Sequence, residues 1–362
     1  MRAKLKVLMI TDVYFPRVNG VSTSIKTFRR VLAAQGVETT LIAPAYPQQA
    51  GSDEEAIRIS SRRVPLDPED RFMNYREVLS YSAELARRRF DLVHIQTPFV
   101  AHYAGTRLAH ALGIPAVVSY HTFFEEYLFH YIKFLPRTGL RWLARRFSRA
   151  QCNDVNGIIV PSYAMLEVLR DYNIITRAAV IPTGIDIVQF QRGNGESFRR
   201  AQGIAPDRPV LLYLGRVVFE KNIEFLLRVI VELKQRVPDV CFVVAGEGPA
   251  RESLARLAKR LGLENNTLFV GNLDRGGAIQ DCYRAANAFI FASRTETQGL
   301  VLLEAMAAGV PIVSTAVMGT KEVLSDGQGC VIAKEYIADF SDKVWSVLTD
   351  ARLRQRLGET AP

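Results

Sequence analysis

Cysteine is scarce in this chain. Cys152, Cys241, Cys282 and Cys330 stand far apart and form neither a Cys-x-x-Cys pair nor a Cys/His cluster. That spacing excludes a disulfide scaffold and a structural zinc site, and it suits a reducing compartment. Long apolar runs are missing too. The N-terminal MRAKLKVLMI is too short for the apolar core of a secretory signal, and Asp12 interrupts it. The nearest approach to a membrane span, 299–319, contains Glu304, Gly309 and Pro311 and reads as a buried helix followed by a strand. No internal repeat or low-complexity tract occurs, and no Asp-x-Asp metal motif. The dinucleotide fingerprint Gly-x-Gly-x-x-Gly is absent as well. The first apolar run leads into Tyr14, Phe15 and Pro16, and Gly246-Glu247-Gly248 lacks the third glycine. A nicotinamide oxidoreductase is disfavoured on that ground.

What remains is an ordinary globular composition, with 48% hydrophobic, 23% charged and 9% aromatic residues over 362 positions. That length suits two domains. The net charge of +9 is uneven: residues 1–185 carry 24 basic against 16 acidic side chains, and residues 186–362 carry 22 against 21. The basic excess of the first half favours anionic lipid, phosphorylated ligands or nucleic acid as partners. All five histidines, His94 to His130, lie there.

Short apolar runs alternate with helical stretches such as 22–35 and 76–89. The first series is 6–12, 39–44, 92–96, 116–121, 157–162 and 179–184. A second begins at 210–216 and continues at 240–246, 267–273, 288–293, 311–315 and 330–333. Strands apolar on both faces, separated by helices, predict parallel sheets covered on both sides. The fold expected is α/β, with two Rossmann-like domains facing across a cleft at the carboxyl ends of their sheets. The boundaries read as 1–185, a polar linker region over 186–208 with Gly193, Gly195, Pro206 and Pro209, and 209–362. Residues 47–70, rich in proline and charge, read as a surface loop.

Two segments carry chemistry. In 291–309, Gly299 lies where a strand passes into a helix, so free N–H groups and the positive dipole end suit an anion. Glu304, one to two turns inside, can accept two hydrogen bonds from a vicinal diol such as ribose, and Glu296 precedes the turn. An acidic cap with one buried glutamate would account for the same pattern. The second segment weighs against that alternative. Arg216 ends the strand 210–216 and Lys221 starts the next helix, which brings a planar fork and a movable cation to the same sheet edge.

This constellation resembles the retaining glycosyltransferases of family 4, which share the two-domain GT-B architecture. The resemblance covers nearly the whole chain: GRVVFEKN (215–222), AGEGP (245–249), FVGNL (269–273), the Glu296/Glu304 pair with AMAAGVPIVST, and NGVSTS, VHIQTP, SYHT, VPS and PTGID in the first half. It implies that Glu304 holds the donor ribose and that Glu296 contacts the donor sugar. The backbone of Gln298, Gly299, Leu300 and Val301 would cradle pyrophosphate and sugar, and Arg216 and Lys221 would bind the pyrophosphate. Asn272 and Leu273 would frame the base, Gly20 would let the first domain approach the phosphates, and His121 would face the transferred sugar. It also implies retention of configuration and no cofactor beyond the nucleotide diphosphate sugar. The cations and helix tip would then meet the leaving-group charge in place of a metal ion. For His121 alone, a satisfied structural histidine is the plainer reading; its place in SYHT, at a strand's carboxyl end, favours the functional one.

The acceptor side is read from 121–149. Aromatics at 123, 124, 127, 131 and 134 recur at helical spacing. Pro136 then starts a helix in which Arg137, Arg141, Arg145 and Arg149 repeat every four residues. Leu140, Leu143, Ala144 and Phe147 make one face, and Trp142 falls among the arginines. Basic residues with an interfacial tryptophan suit anionic lipid headgroups, with Phe123 and Tyr127 on the acceptor side. A cation–π pair inside the protein explains Trp142 equally. No recognised nucleic-acid motif is present.

HTFFEEYLFHYI and Thr297-Gln298-Gly299 resemble the diacylglycerol glucosyltransferase branch. The favoured reading is hexose transfer, glucose from a UDP donor, to a lipid at the cytoplasmic membrane face. The alternatives are a soluble sugar or glycan acceptor, another GT-B enzyme or epimerase, and a non-catalytic membrane-surface module. Two features depart from the family pattern. Thr183 stands where the family often has asparagine, and the final helix that crosses back to the first domain is expected to be missing.

Overall fold

The structure, a computed structural model, describes residues 4–17, 19–47, 56–64, 67–121, 137–274 and 276–360. It separates into two compact units, Met1–Gly184 and Ile185–Pro362. Each is built on a seven-stranded parallel sheet among the described residues.

In the first unit the strands are β1 (Lys6–Ile10), β2 (Glu38–Pro44), β3 (Ala56–Ile59), β6 (Leu92–Ile95), β7 (Ala116–Ser119), β8 (Gly157–Val160) and β9 (Ala178–Val180). Their spatial order is β3-β2-β1-β6-β7-β8-β9, so the chain reverses direction across the sheet between β1 and β6. Leu8, Met9, Ile10, Leu41 and Ile42 are fully buried, which is why this half reads as continuous apolar runs. Each such side chain contributes about 1.5–3 kcal/mol.

The second unit holds β10 (Val210–Leu214), β11 (Cys241–Ala245), β12 (Thr267–Gly271), β13 (Ala288–Phe291), β14 (Ile312–Ser314), β15 (Ser325–Asp326) and β16 (Gly329–Ile332). The order β12-β11-β10-β13-β14-β16-β15 puts its switch point between β10 and β13. In open α/β sheets ligands bind outside the carboxyl ends of the strands at such a point. The core beneath it is aromatic: Tyr213, Tyr283, Phe242, Phe289, Phe291 and Phe340 are fully buried.

Four expectations are corrected. Residues 47–70 are not only a loop. β3 adds to the sheet, and β4 (Ser61–Val64) pairs antiparallel with β5 (Asp67–Met73). The region 186–208 is not an irregular linker but contains the helices Ile187–Gln191 and Gly195–Ala201, capped by Asp186 and Asn194. Phe190 and Phe198 bury themselves in the core of the second unit. The helix expected over 76–89 breaks at Tyr81 into Tyr75–Ser80 and Ser82–Arg88. There the hydroxyls of Ser80 and Ser82 donate to the carbonyls of Glu77 and Leu79 and compete with helix bonding. Lastly, the helix expected to begin at Lys221 begins at Ile223. Lys221 closes a 3-10 turn, Phe219–Lys221, and Asn222 at φ +57° joins the two.

Candidate donor site and acceptor face

The loops after β10, β11 and β12 interlock. Gly215 N–H donates to Ala245 O (3.0 Å), Val217 N–H to Glu247 O (2.9 Å) and Gly246 N–H to Gly271 O (2.7 Å). Gly246 has φ +132°, and a Cβ there would sit 2.0 Å from Gly215 O. Both the backbone conformation and the space therefore demand glycine. Gly246→Ala is expected to lower stability by about 3 kcal/mol, read as a drop in the urea midpoint.

Across the switch point, the loop after β13 meets the loop after β10. Lys221 Nζ donates to Glu296 Oε1 at 2.5 Å, both side chains more than four-fifths buried. Asn222 Nδ2 reaches Ala292 O (3.3 Å) and Glu335 Oε1 (3.1 Å). Arg294 holds Glu335 through both carboxylate oxygens, which together with Asn222 keeps that carboxyl below its ordinary range. Gly319 N–H donates to Glu296 O (3.0 Å), and a Cβ on Gly319 would lie 2.2 Å from Thr297 O.

Gly299, in the left-handed region at φ +88°, opens the helix Leu300–Ala307, whose N-terminus no side chain caps. Gln298 is buried ahead of it, and Leu300 and Val301 form its first turn. Glu304 is 1% exposed, and its Oε2 accepts from Tyr283 Oη at 3.0 Å. Arg216 is half-buried, its carbonyl accepting from Tyr213 Oη at 2.9 Å. Burial and the nearby Glu296 carboxylate push the Tyr213 phenol well above its usual range, so it stays a donor. Asn272 and Leu273 follow β12, Asn272 exposed and Leu273 packed on the core. The sheet edge thus assembles Arg216, Lys221, Glu296, the 298–301 turn and Glu304. An anion there would meet two cations and an uncapped helix N-terminus.

In the first unit the turn after β1 closes on the turn after β6. Thr97 Oγ1 donates to Asp12 Oδ2 (2.8 Å), and Ala101 N–H donates to both Asp12 oxygens (3.1 Å), capping the helix Val100–Leu112 from outside. Gly20 opens the helix Gly20–Ala34, which Asn19 caps, and a Cβ on Gly20 would meet nothing within 4 Å. Nothing within this unit therefore requires glycine at that position. Thr183 hydrogen-bonds Ser24 at 2.7 Å.

His121 follows β7, and its Nε2 lies 3.0 Å from Gln96 Oε1. Burial depresses its pKa to about 4. Burial, with the His121 charge added, takes His94 to about 3. Both are neutral at physiological pH, so His121 suits a polar contact better than proton transfer.

Phe123 and Tyr127 lie outside the described residues. The basic helix runs Arg137–Asn153. Leu140 and Ala144 are buried as expected, but Leu143 is 44% exposed, a correction to the apolar face; Ser148 and Gln151 take part in the buried stripe instead. Arg141, Arg145 and Arg149 are on the exposed side with Trp142, which is 62% exposed. Arg146 lies over the Trp142 ring at 5.5 Å, and Arg145 over Tyr172 at 5.1 Å. No described helix is long and apolar enough to cross a membrane.

Sequence reasoning missed Tyr213, Asn222, Tyr283 and Glu335. A tyrosine within the otherwise aliphatic run VLLYL is a signal that could have found Tyr213, because a buried phenol needs an acceptor. Asn222 closes the GRVVFEKN segment without a role of its own there, and Tyr283 and Glu335 carry no local pattern.

Two Rossmann-like units, the second with cations and a helix tip at its switch point, define the GT-B class of glycosyltransferases. The chain belongs to glycosyltransferase family 4: the model of that family matches residues 18–189, and that of glycosyl transferases group 1 matches 194–362. It is 33% identical over 333 residues to the alpha-monoglucosyldiacylglycerol synthase of Streptococcus pneumoniae, covering 89% of this chain and 74% of that protein. The protein of the same name from Acholeplasma laidlawii is 28% identical, with 85% and 80% covered. Among solved structures, Anabaena HepE in complex with UDP-glucose superposes with a TM-score of 0.77 at 16% identity, over 99% of this chain and 93% of that one.

Proposed function

We propose that this glycosyltransferase moves glucose from UDP-glucose to a membrane lipid such as diacylglycerol, with retention of configuration and without a metal ion. The observation that carries the donor half is the Lys221–Glu296 pair at the switch point, beside the uncapped helix at Gly299. Departure of a nucleoside diphosphate concentrates negative charge on its phosphates. Arg216, Lys221 and the helix N-terminus are fixed donors for that charge, each worth a few kcal/mol. A diphosphate competes with Glu296 for Lys221 and frees Glu296 for the sugar hydroxyls. Glu304 takes the ribose diol. The leaving phosphate takes the acceptor proton, and neutral His121 serves the hexose as a polar partner.

The acceptor half rests on the two synthases named above and on the exposed basic face with Trp142 and Leu143. Such a face docks on anionic headgroups at the inner side of the cell membrane, the tryptophan at the interface and the arginines over the phosphates. The Arg146–Trp142 contact favours a second reading, in which the ring is satisfied within the protein and the acceptor is a soluble sugar or glycan.

Purified protein with UDP-glucose and mixed vesicles of diacylglycerol and anionic phospholipid separates the two. UDP release that depends on diacylglycerol, persists in EDTA and yields an α-linked glucolipid by mass spectrometry is the expected result. On the same vesicles Trp142→Ala is expected to weaken cosedimentation about 10-fold. Undiminished binding by this variant and by Arg141→Glu/Arg145→Glu sinks the lipid-docking half.

A further inference from the structure

The phenol of Tyr283 is buried at the foot of the donor site. Tyr283 lies in the helix Ala278–Ala285 and is 0% exposed. Its Oη lies 3.0 Å from Glu304 Oε2 and 3.1 Å from Val301 O, and its single proton is shared between these two acceptors. One hydroxyl therefore touches both the carboxylate and the first turn of the helix that carries it. The ring is held on two sides: Phe190 meets it edge-on at 6.0 Å and Phe289 tilts against it at 5.9 Å. A glutamate in mid-helix has three side-chain torsions, and a rotamer chosen by packing alone would leave its carboxylate plane loose. A donor locked in place fixes one oxygen and with it the direction of the other.

We propose that Tyr283 is the positioning residue for Glu304, setting its carboxylate for the 2′- and 3′-hydroxyls of the donor ribose. The inference rests on the reading of Glu304 as the ribose ligand. Its consequence is selectivity: the site distinguishes a ribonucleoside diphosphate from its 2′-deoxy counterpart only while Oε2 is held. Hydrogen bonds to a charged group account for a discrimination of about 10- to 100-fold.

The experiment is calorimetric titration of the full chain with UDP and 2′-deoxy-UDP, and with GDP and 2′-deoxy-GDP, carrying forward the pair that the wild type binds. Wild type should prefer the ribonucleotide about 10- to 100-fold. Tyr283→Phe, which keeps the ring and its packing, should bring the ratio below about 3-fold with the thermal midpoint little changed. Tyr283→Met, which also removes the hydroxyl, reads the same ratio should the phenylalanine variant fold poorly. Phe190→Leu, which keeps the hydroxyl but loosens the ring that carries it, should lower the midpoint and bring the ratio between those of wild type and Tyr283→Phe. A wild-type ratio retained in Tyr283→Phe or Tyr283→Met overturns the inference alone. A wild type that binds neither nucleotide, or binds ribo and deoxy forms equally, overturns the ribose reading of Glu304 and the inference with it.

Discussion

Arg216→Ala is expected to lower kcat for glycosyl transfer about 100- to 1,000-fold, with a much smaller change in KM. The asymmetry follows from when the charge appears. In the bound donor the diphosphate charge is shared with the glycosidic oxygen, and it peaks as that bond breaks, so a fixed guanidinium gains most in the transition state. The loop should survive the substitution, because backbone hydrogen bonds hold it on both sides. Tyr213 Oη holds the Arg216 carbonyl, Gly215 N–H is bonded to Ala245, and Tyr213 is stacked on Phe291 at 6.0 Å. Arg216→Lys keeps the charge and loses the planar fork, so it should recover only part of the rate. Lys221→Ala should behave differently, since it leaves the Glu296 carboxylate without its cation. Lys221→Ala with Glu296→Gln should then cost less than the product of the two single losses, as for groups acting as one unit. Steady-state kinetics on these variants and on Glu296→Gln alone check this. An Arg216→Ala enzyme that turns over within threefold of wild type removes the cation from the chemistry.

The strands at the centres of both sheets are legible because they are buried on both faces and leave no room for polar alternation. β1, β10, β11 and β13 follow that pattern. β3 to β5 escape it because they are short, lie at an edge or in a separate ribbon, and carry Arg58, Arg62, Arg63 and Asp67 among prolines. At 186–208 the glycines were misleading for a physical reason. Gly193 and Gly195 are small so that a backbone can approach: a Cβ would lie 2.7 Å from Gln280 O and 2.4 Å from Arg284 O. Glycine as a breaker and glycine as a packing contact look the same in a sequence, and the Asn194 cap was the better clue.

The site divides along the same line. Arg216, Lys221, Glu296, Gly299 and Glu304 can be singled out as candidates because each follows a strand end in the sequence. Their supports come from elements far away in sequence. Glu335 is 113 residues from Asn222, and Tyr283 is 21 from Glu304. Only the strand order β12-β11-β10-β13-β14-β16 brings those loops to one edge, and the sequence pattern gives strands without their order. The pairing of Lys221 with Glu296 was hidden for the same reason. The sequence offers both as ligand contacts, and in the structure each is also the other's partner.

Lowering the pH from 7 to 5 is expected to destabilise the first unit by about 4–6 kcal/mol, well above the loss from any exposed ion pair. Three of its histidines are buried and neutral. Burial, with the His121 charge added, holds His94 near 3; burial holds His121 near 4; and burial holds His102 near 4 against the opposing Asp154 carboxylate 3.8 Å away. In the unfolded chain each titrates near 6.5. Above that value both states are neutral and stability does not depend on these groups. Between 6.5 and about 4 the unfolded state binds protons that the folded state refuses, so stability falls as pH falls and levels off below the folded values. From pH 7 to 5 each histidine contributes about 2 kcal/mol, and the three together a large part of the 5–15 kcal/mol that holds a typical domain together. Carboxylates such as Glu335, whose folded value is depressed by Arg294, add their own loss only below about 4.5, so the windows are separable. Urea midpoints at pH 7, 6 and 5 measure the slope. His94→Gln keeps an amide in reach of Ser119, which His94 Nε2 now meets at 2.8 Å, and should remove about a third of the loss. A midpoint that stays flat down to pH 5 means that these rings protonate without leaving the fold, and the neutral role assigned to His121 falls with it.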